Sequence, residues 1–326
     1  MMASLSAAAI EQASDGYYLI ASADDWNDFA AIVQTTNDAN ARMTADVDLG
    51  DSQAKIGHPS ELSQQYYFKG TFDGAGHTLT IHYTTDPANA AYLCSPFPNL
   101  SQATIKNLHI DGTITSTVAT QPAVIGRTSY GVSTIDQVWS SVTVTSTKSG
   151  WCEASGLVGC VDGYKGGRVV VTDCLVSGSV KSAGSYEGCF IGYVNSGGSA
   201  TVTNSLSVAN FEYSGTSGFP GTYTNCFVKQ FPTAIPSAMQ MTDEQLADGT
   251  IAVALQADRE QEVWLQDEAS GMPMLKIFLG SSGSTSVTDL AVTRQTSGKR
   301  YNLMGQPVTS DYRGIVIEDG KKLIVK

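Results

Sequence analysis

Five polar residues, Asn107, Gln137, Asp173, Asn204 and Asn225, recur along the chain at spacings of 30, 36, 31 and 21, each in the same place within a short pattern. Two positions before them stand Ile105, Ile135, Val171, Val202 and Tyr223, and one position after them stand Leu108, Val138, Cys174, Ser205 and Cys226. Between these units lies a second column, Ala123 to Gly126, Gly156 to Gly159 and Cys189 to Gly192, whose last glycines are 33 and 33 residues apart. Polar and apolar residues alternate with a period of two inside each unit, so the units contain short strands. A unit of this size carrying two or more strands cannot bury its apolar side alone and must stack on its neighbours. Stacking sets equivalent residues about 4.8 Å apart. An amide at a corner suits that spacing, because it can bond to the amides above and below. The pattern predicts an all-β chain, a right-handed parallel β-helix over residues 17–231.

Composition agrees and removes several function classes. Charged residues are 15 % of the 326 and glycine numbers 32, far from the profile of a helical bundle. Hydrophobic residues at 42 % are enough for a core. The formal charge of -12 argues against nucleic acid and anionic membranes as partners. No apolar run reaches the roughly 20 residues of a membrane span, so no membrane insertion is expected.

The ends read differently from the middle. Residues 1–16 read as a residual signal peptide or a disordered terminus, with Ser6, Ala7, Ala8 and Ala9 offering an Ala-x-Ala cleavage pattern. Trp26, Phe29, Ala30 and Val33 fall at helical spacing behind a Ser22/Asp25 capping signal, which predicts a helix covering the front of the stack. Residues 232–279 read as the cover of the back, with a Thr242/Gln245 capping box and a hairpin from Trp264 to Leu279. Residues 280–298 have linker composition. Residues 299–326 carry six basic and three acidic side chains, a net +3 that leaves -15 on the remainder, and contain two strand-like runs, Gly314 to Ile317 and Lys322 to Val325. They read as a small separate β module.

Several stretches resemble a known family. Tyr17 to Ile20, Asp25-Trp26, Ala45 to Leu49 and the run from Gly70 to Ile81 are similar to the opening of secreted GLUG-motif β-helix proteins of anaerobic Gram-negative bacteria. Gly156-Leu157-Val158-Gly159 matches the motif itself, and Met241 to Leu246 with Trp264 and Gln266 resembles the closing segment. Tyr301 to Val308, Gly314 to Ile317 and Gly320 to Lys326 look like a short type A sorting tail of the type IX secretion route. The resemblance implies a secreted or outer-surface protein, often adhesin-like, and brings no catalytic residues with it.

Candidate chemistry is sparse. Of the four histidines, His58, His77, His82 and His109, none has an evident Ser or Cys partner, and there is no Gly-x-Ser-x-Gly elbow. No cofactor is implied except calcium, for which Asp46, Asp48, Asp51 and Asp73 could supply oxygen ligands; solvated strands place acids the same way. Glu153 lies six residues before Gly159 and Glu187 five before Gly192. Adjacent coils should therefore bring them near one another on the exposed face, as glycoside cleavage by paired carboxylates requires. Trp151, Tyr164 and Tyr186 lie close by and could stack on sugar rings. Thr113 with Thr115, and Thr143 with Thr145, suggest flat hydroxyl arrays but are not expected to share columns. Cys174 and Cys226 should stand two rungs, about 9.6 Å, apart in one inward column, too far for a disulfide. The expected function is non-enzymatic: a side face presented to a glycan or to a host or bacterial surface protein. The alternative is a polysaccharide-active enzyme, a glycoside hydrolase or lyase, with Glu153 and Glu187 as its carboxylates.

Overall fold

The structure, a computed structural model, describes residues 10–57, 67–85, 93–213, 218–257 and 259–279, and the strands Ser284–Thr285, Arg300–Asn302, Pro307–Val308, Gly314–Glu318 and Lys321–Val325. His58 lies outside the described residues, as do residues 1–9 and most of 280–298.

The chain is a parallel β-helix. Its main sheet has sixteen strands, and a second parallel sheet stacks Phe97–Leu100, Ile125–Thr128, Val158–Val161 and Ile191–Val194. Registers in the main sheet follow the repeat: Ile105 pairs with Ile135, Ile135 with Val171, Val171 with Val202 and Val202 with Tyr223. Ile105, Ile135, Val171 and Val202 are fully buried, each such side chain contributing about 1.5–3 kcal/mol over an exposed one.

The five-residue polar column forms the corner. Asn107, Gln137, Asp173, Asn204 and Asn225 all adopt φ between 49° and 53°. This left-handed conformation costs most L-residues roughly 1–2 kcal/mol and is eased for Asn and Asp by local side-chain bonding. Along the column Asn225 Nδ2 donates to Asn204 Oδ1 at 2.8 Å, and at its front end Asn107 Nδ2 donates at 3.0 Å to Oδ1 of Asp73, which stands in register with Lys106. In the second sheet the glycine column is a close approach. A Cβ on Gly192 would lie 2.6 Å from the carbonyl oxygen of Gly159, and one on Gly159 would lie 2.8 Å from that of Gly126.

One residue past the corner the register sets Cys174 one rung from Ser205 and Ser205 one rung from Cys226. All six cysteines are free and buried.

The front is closed twice. Residues 11–13 run antiparallel to the first strand, Tyr17–Ile20, with Leu19 N–H donating to Glu11 O and Ala13 N–H to Tyr17 O, both at 2.8 Å. Residues 10–16 are thus ordered pairing, not a loose terminus. The helix Ala23–Val33, capped by the Ser22 side chain, buries Trp26, Phe29, Ala30 and Val33. Trp26 meets the edges of Phe72 and Phe97 at ring separations of 5.6 and 5.8 Å, so the helix plugs the first coil.

The back departs from expectation. Phe219, Phe231, Ile235 and Met239 close over the last coil, but residues 242–279 lie along the side. Their helices Asp243–Ala247 and Thr250–Gln256 and the hairpin of Trp264–Asp267 with Met272–Leu275 bury Leu246, Ile251, Leu255, Trp264 and Leu275 against Leu175 and Leu206. The cause is a second apolar column, two residues past the corner: Trp139, Leu175, Leu206 and Phe227 stand in register on the outward side and need a cover of their own. The segment read as linker also contributes, since Ser284–Thr285 adds a third strand beside Gln266 and Asp267. Beyond it, Arg300–Asn302, Pro307–Val308, Gly314–Glu318 and Lys321–Val325 form a separate four-stranded antiparallel sheet.

Candidate functional site

The strand Thr143–Ser155 bends over register shifts between Ser146 and Glu153 and pairs Glu153 with Tyr186 and Ala154 with Glu187. Alternation along a strand then puts Trp151, Glu153 and Tyr186 on the outward side. Tyr193, from the second sheet, completes a cluster: ring separations are 5.0 Å for Trp151 and Tyr186, 5.4 Å for Trp151 and Tyr193, and 4.4 Å for Tyr186 and Tyr193. Trp151 is 48 % exposed and Tyr164, on the turn Gly163–Lys165, is 79 % exposed. The Tyr193 phenol is pushed up by loss of solvent first, then by Tyr186 and Tyr164 beside it. These aromatics form a shallow platform. On the same strand as Tyr186, an open groove of about 440 Å³ lies against Thr145, Thr147, Lys181, Ala183 and Glu212.

A polar network fills the space beneath. Glu153 is 1 % exposed; its Oε1 accepts from Trp151 Nε1 at 3.1 Å and its Oε2 accepts from Gln121 Nε2. Gln121 Oε1 accepts from Thr120 Oγ1 at 2.7 Å and from Arg127 Nη2 at 3.5 Å, and Arg127 Nη1 reaches Asp162 Oδ2 at 3.5 Å. Burial raises the Glu153 carboxyl; hydrogen bonds from Gln121 and the Cys160 thiol, the positive charge of Arg127 and the hydrogen bond from Trp151 oppose the rise. The Cys160 thiol is itself pushed up, by burial first and by Glu153 next. It is not a nucleophile under these conditions, since only a thiolate reacts.

Structure corrects the carboxylate pair. Glu153 and Glu187 are not exposed, and they do not face one another. Registered one residue out of step, they point to opposite sides of the sheet, Glu153 under the platform and Glu187 into the core. Glu187 is 0 % exposed, and among the described residues neither of its carboxyl oxygens has a hydrogen-bond partner. Burial pushes its pKa to about 9, so it is neutral at pH 7. Two acids so placed cannot flank one glycosidic bond.

The four aspartates are spent separately. Asp46 Oδ1 accepts from Thr78 N–H at 2.9 Å and faces His77 Nδ1 at 3.1 Å, while Asp48 accepts from Gly50 N–H. Asp73 accepts from Asn107 and lies 3.4 Å from Lys106 Nζ. Asp51 is exposed. Among the described residues no group of three or more His, Cys, Asp or Glu side chains is gathered to hold a metal.

Two further readings change. Thr113 and Thr115 do register with Thr143 and Thr145, and Thr84 stands above Thr115. The array is short, bounded by His82 on one side and the Lys181–Glu212 ion pair on the other. His109 does have a serine partner: its Nε2 lies 2.8 Å from Ser141 Oγ and its Nδ1 3.0 Å from Thr78 Oγ1. Ser141, however, donates to Asp111 Oδ1 at 2.7 Å. His109 Nε2–H must then donate to Ser141, so the nitrogen that faces the serine has no lone pair with which to take its proton, and the lone pair on Nδ1 faces Thr78 instead. Burial lowers the His109 pKa to about 4, and Trp139 stacks on it at 3.7 Å. This is a packed polar chain under the side cover, not a catalytic dyad.

Sequence reasoning named Trp151, Tyr164 and Tyr186, which lie on this face, and did not name Tyr193, Gln121, Arg127, Cys160 or Asp162 beside them. A signal existed: Arg127, Cys160 and Tyr193 each follow a glycine of the second column, and they stand in register.

No family model matches the chain, and no curated protein matches it. Among solved structures it is similar to that of a putative immunoglobulin A1 protease from Bacteroides ovatus. The TM-score is 0.54 at 13 % identity, over 82 % of this chain and 94 % of that one. The two share a fold. At this identity the likeness carries no residue roles, and the parallel β-helix is what it supports.

Proposed function

We propose that this chain is an exported or outer-surface, adhesin-like β-helix that binds glycan on its aromatic side face without cleaving it. The observation that supports this reading is the clustering of Trp151, Tyr186 and Tyr193, with exposed Tyr164 nearby, on one outward face. Aromatic rings half-open to solvent suit the apolar C–H faces of pyranose rings, and a rigid scaffold places them at little entropic cost. The carboxylate nearest the platform, Glu153, has both oxygens engaged, which leaves it unable to protonate a leaving group. Arg127 and Asp162 face one another, so neutral sugars fit this face better than anionic ones. The type A sorting likeness of the tail, and the GLUG likeness of the middle, support the surface address.

A glycan array probed with wild type and with Trp151→Ala tests the reading. Binding to neutral glycans, weakened about tenfold or more by the substitution, is the expected result; a wild-type chain that binds no glycan above background overturns it. The address is tested by deleting residues 299–326 in a host with type IX secretion, where the chain should remain in the periplasm.

A further inference from the structure

Trp151 is half exposed, yet its one polar atom points inward, to a carboxylate that solvent does not reach. Glu153 takes Trp151 Nε1–H on one oxygen and Gln121 on the other. Gln121 is held in turn by Thr120 and Arg127, and Arg127 by Asp162. The chain of contacts joins residues of successive coils, since Arg127 and Cys160 are neighbours in the second sheet. It ends at the surface on the indole.

We infer that Glu153 is the positioning residue of the glycan face: it fixes the plane of the Trp151 ring from beneath and never touches the ligand. The inference rests on the glycan-binding reading above. An exposed tryptophan held only by packing can exchange among staggered rotamers, and ordering it on binding subtracts from affinity. A directional hydrogen bond to a sealed acceptor removes that cost beforehand. Stability alone does not account for the arrangement, because a buried charged network is commonly no more stabilising than well-packed apolar side chains of the same volume. Tyr186 and Tyr193 brace the indole at its edge, while Glu153 sets its rotation.

The test has a ligand-free arm and a ligand arm. In protein labelled with ¹⁵N at tryptophan, the Trp151 Nε1–H signal, assigned by its loss in Trp151→Phe, should exchange slowly with solvent despite the exposure of the ring. Glu153→Gln, whose one amide oxygen still accepts from Trp151 while its NH2 replaces the oxygen that faced Gln121, should keep that protection, and Glu153→Ala should abolish it. Glu153→Met, close in volume and without an acceptor, should behave like the alanine variant and serves if that one does not fold. With cellohexaose as the probe, Glu153→Ala should weaken binding about tenfold, Glu153→Gln at most about twofold, and Glu153→Ala should cost nothing further in a Trp151→Phe background. Equal losses with and without the Trp151 indole would show a merely structural glutamate and overturn the inference. So would a Trp151 Nε1–H that exchanges as fast as free indole in the wild type. If the wild type binds no glycan, the functional reading fails, and the exchange measurement alone decides the role of Glu153.

Discussion

The indole Nε1–H of Trp264 donates to Asp173 Oδ1 at 2.8 Å, while Arg259 Nη1 meets Oδ2 of the same carboxylate at 2.7 Å. Asp173 is a corner residue of the β-helix and Trp264 belongs to the side cover, so one buried side chain joins the two. The corner conformation and the docking contact coincide there. The cover also brings Ala254 O to Asn225 Nδ2 at 2.7 Å, a second tie on the same column.

Asp173→Asn keeps the left-handed backbone and one acceptor for Trp264 but removes the charge that faces Arg259. It should destabilise by about 1–3 kcal/mol. Asp173→Ala also leaves Arg259 unpaired and strains the corner, and should cost about 3 kcal/mol or more. Thermal unfolding followed by circular dichroism checks both, and a neutral Asp173→Ala would mean that the cover is held by its apolar contacts alone.

Glu187 supplies a pH dependence of definite sign. Its carboxyl is raised from 4.5 to about 9 in the folded chain. Below pH 4.5 both folded and unfolded states carry the proton, and nothing is lost. Between there and about 9 the unfolded state ionises while the folded state does not, so stability falls as pH rises. Glu187→Gln removes this loss. It should stabilise the protein by about 3 kcal/mol at pH 7 and by almost nothing at pH 4.5. Denaturant melts at the two pH values measure the difference, and an equal effect at both would mean that Glu187 is ionised or solvated in the fold.

The thiols should be silent. All six cysteines are free and buried, and burial pushes the Cys94 and Cys226 thiols to about 11, where little reactive thiolate exists at pH 8. Dithiobis(nitrobenzoate) should label none of them in the native protein and six after denaturation. A crosslink between Cys174 and Cys226 in native protein would contradict the register itself.

Much of this was legible in the residues, and the failures were too. The corner column is visible because Asn and Asp tolerate a conformation that few other residues adopt, and the glycine column is visible because no side chain fits there. The carboxylate pair was misjudged at a countable place: six residues separate Glu153 from Gly159 but five separate Glu187 from Gly192. With the glycines in register, Glu187 lines up with Ala154, and one residue reverses the face of a strand. The side cover was announced by Trp139, Leu175, Leu206 and Phe227, apolar at outward positions. What no spacing reveals is the bend between Ser146 and Glu153 that carries Trp151 over a buried carboxylate, because a bulge leaves no periodic trace.

The central claim is that ligand meets the aromatic side face, and the four tryptophans of the chain allow it to be tested in one spectrum. Trp26 and Trp264 are fully buried, Trp139 lies beneath the side cover, and Trp151 stands half open on the platform. Titrating the strongest neutral glycan from the array into ¹⁵N-tryptophan-labelled protein should shift the Trp151 Nε1–H signal progressively and leave the other three indoles in place. A bound glycan that moves Trp139 instead, or moves none of the four, would put the binding surface elsewhere and contradict the account.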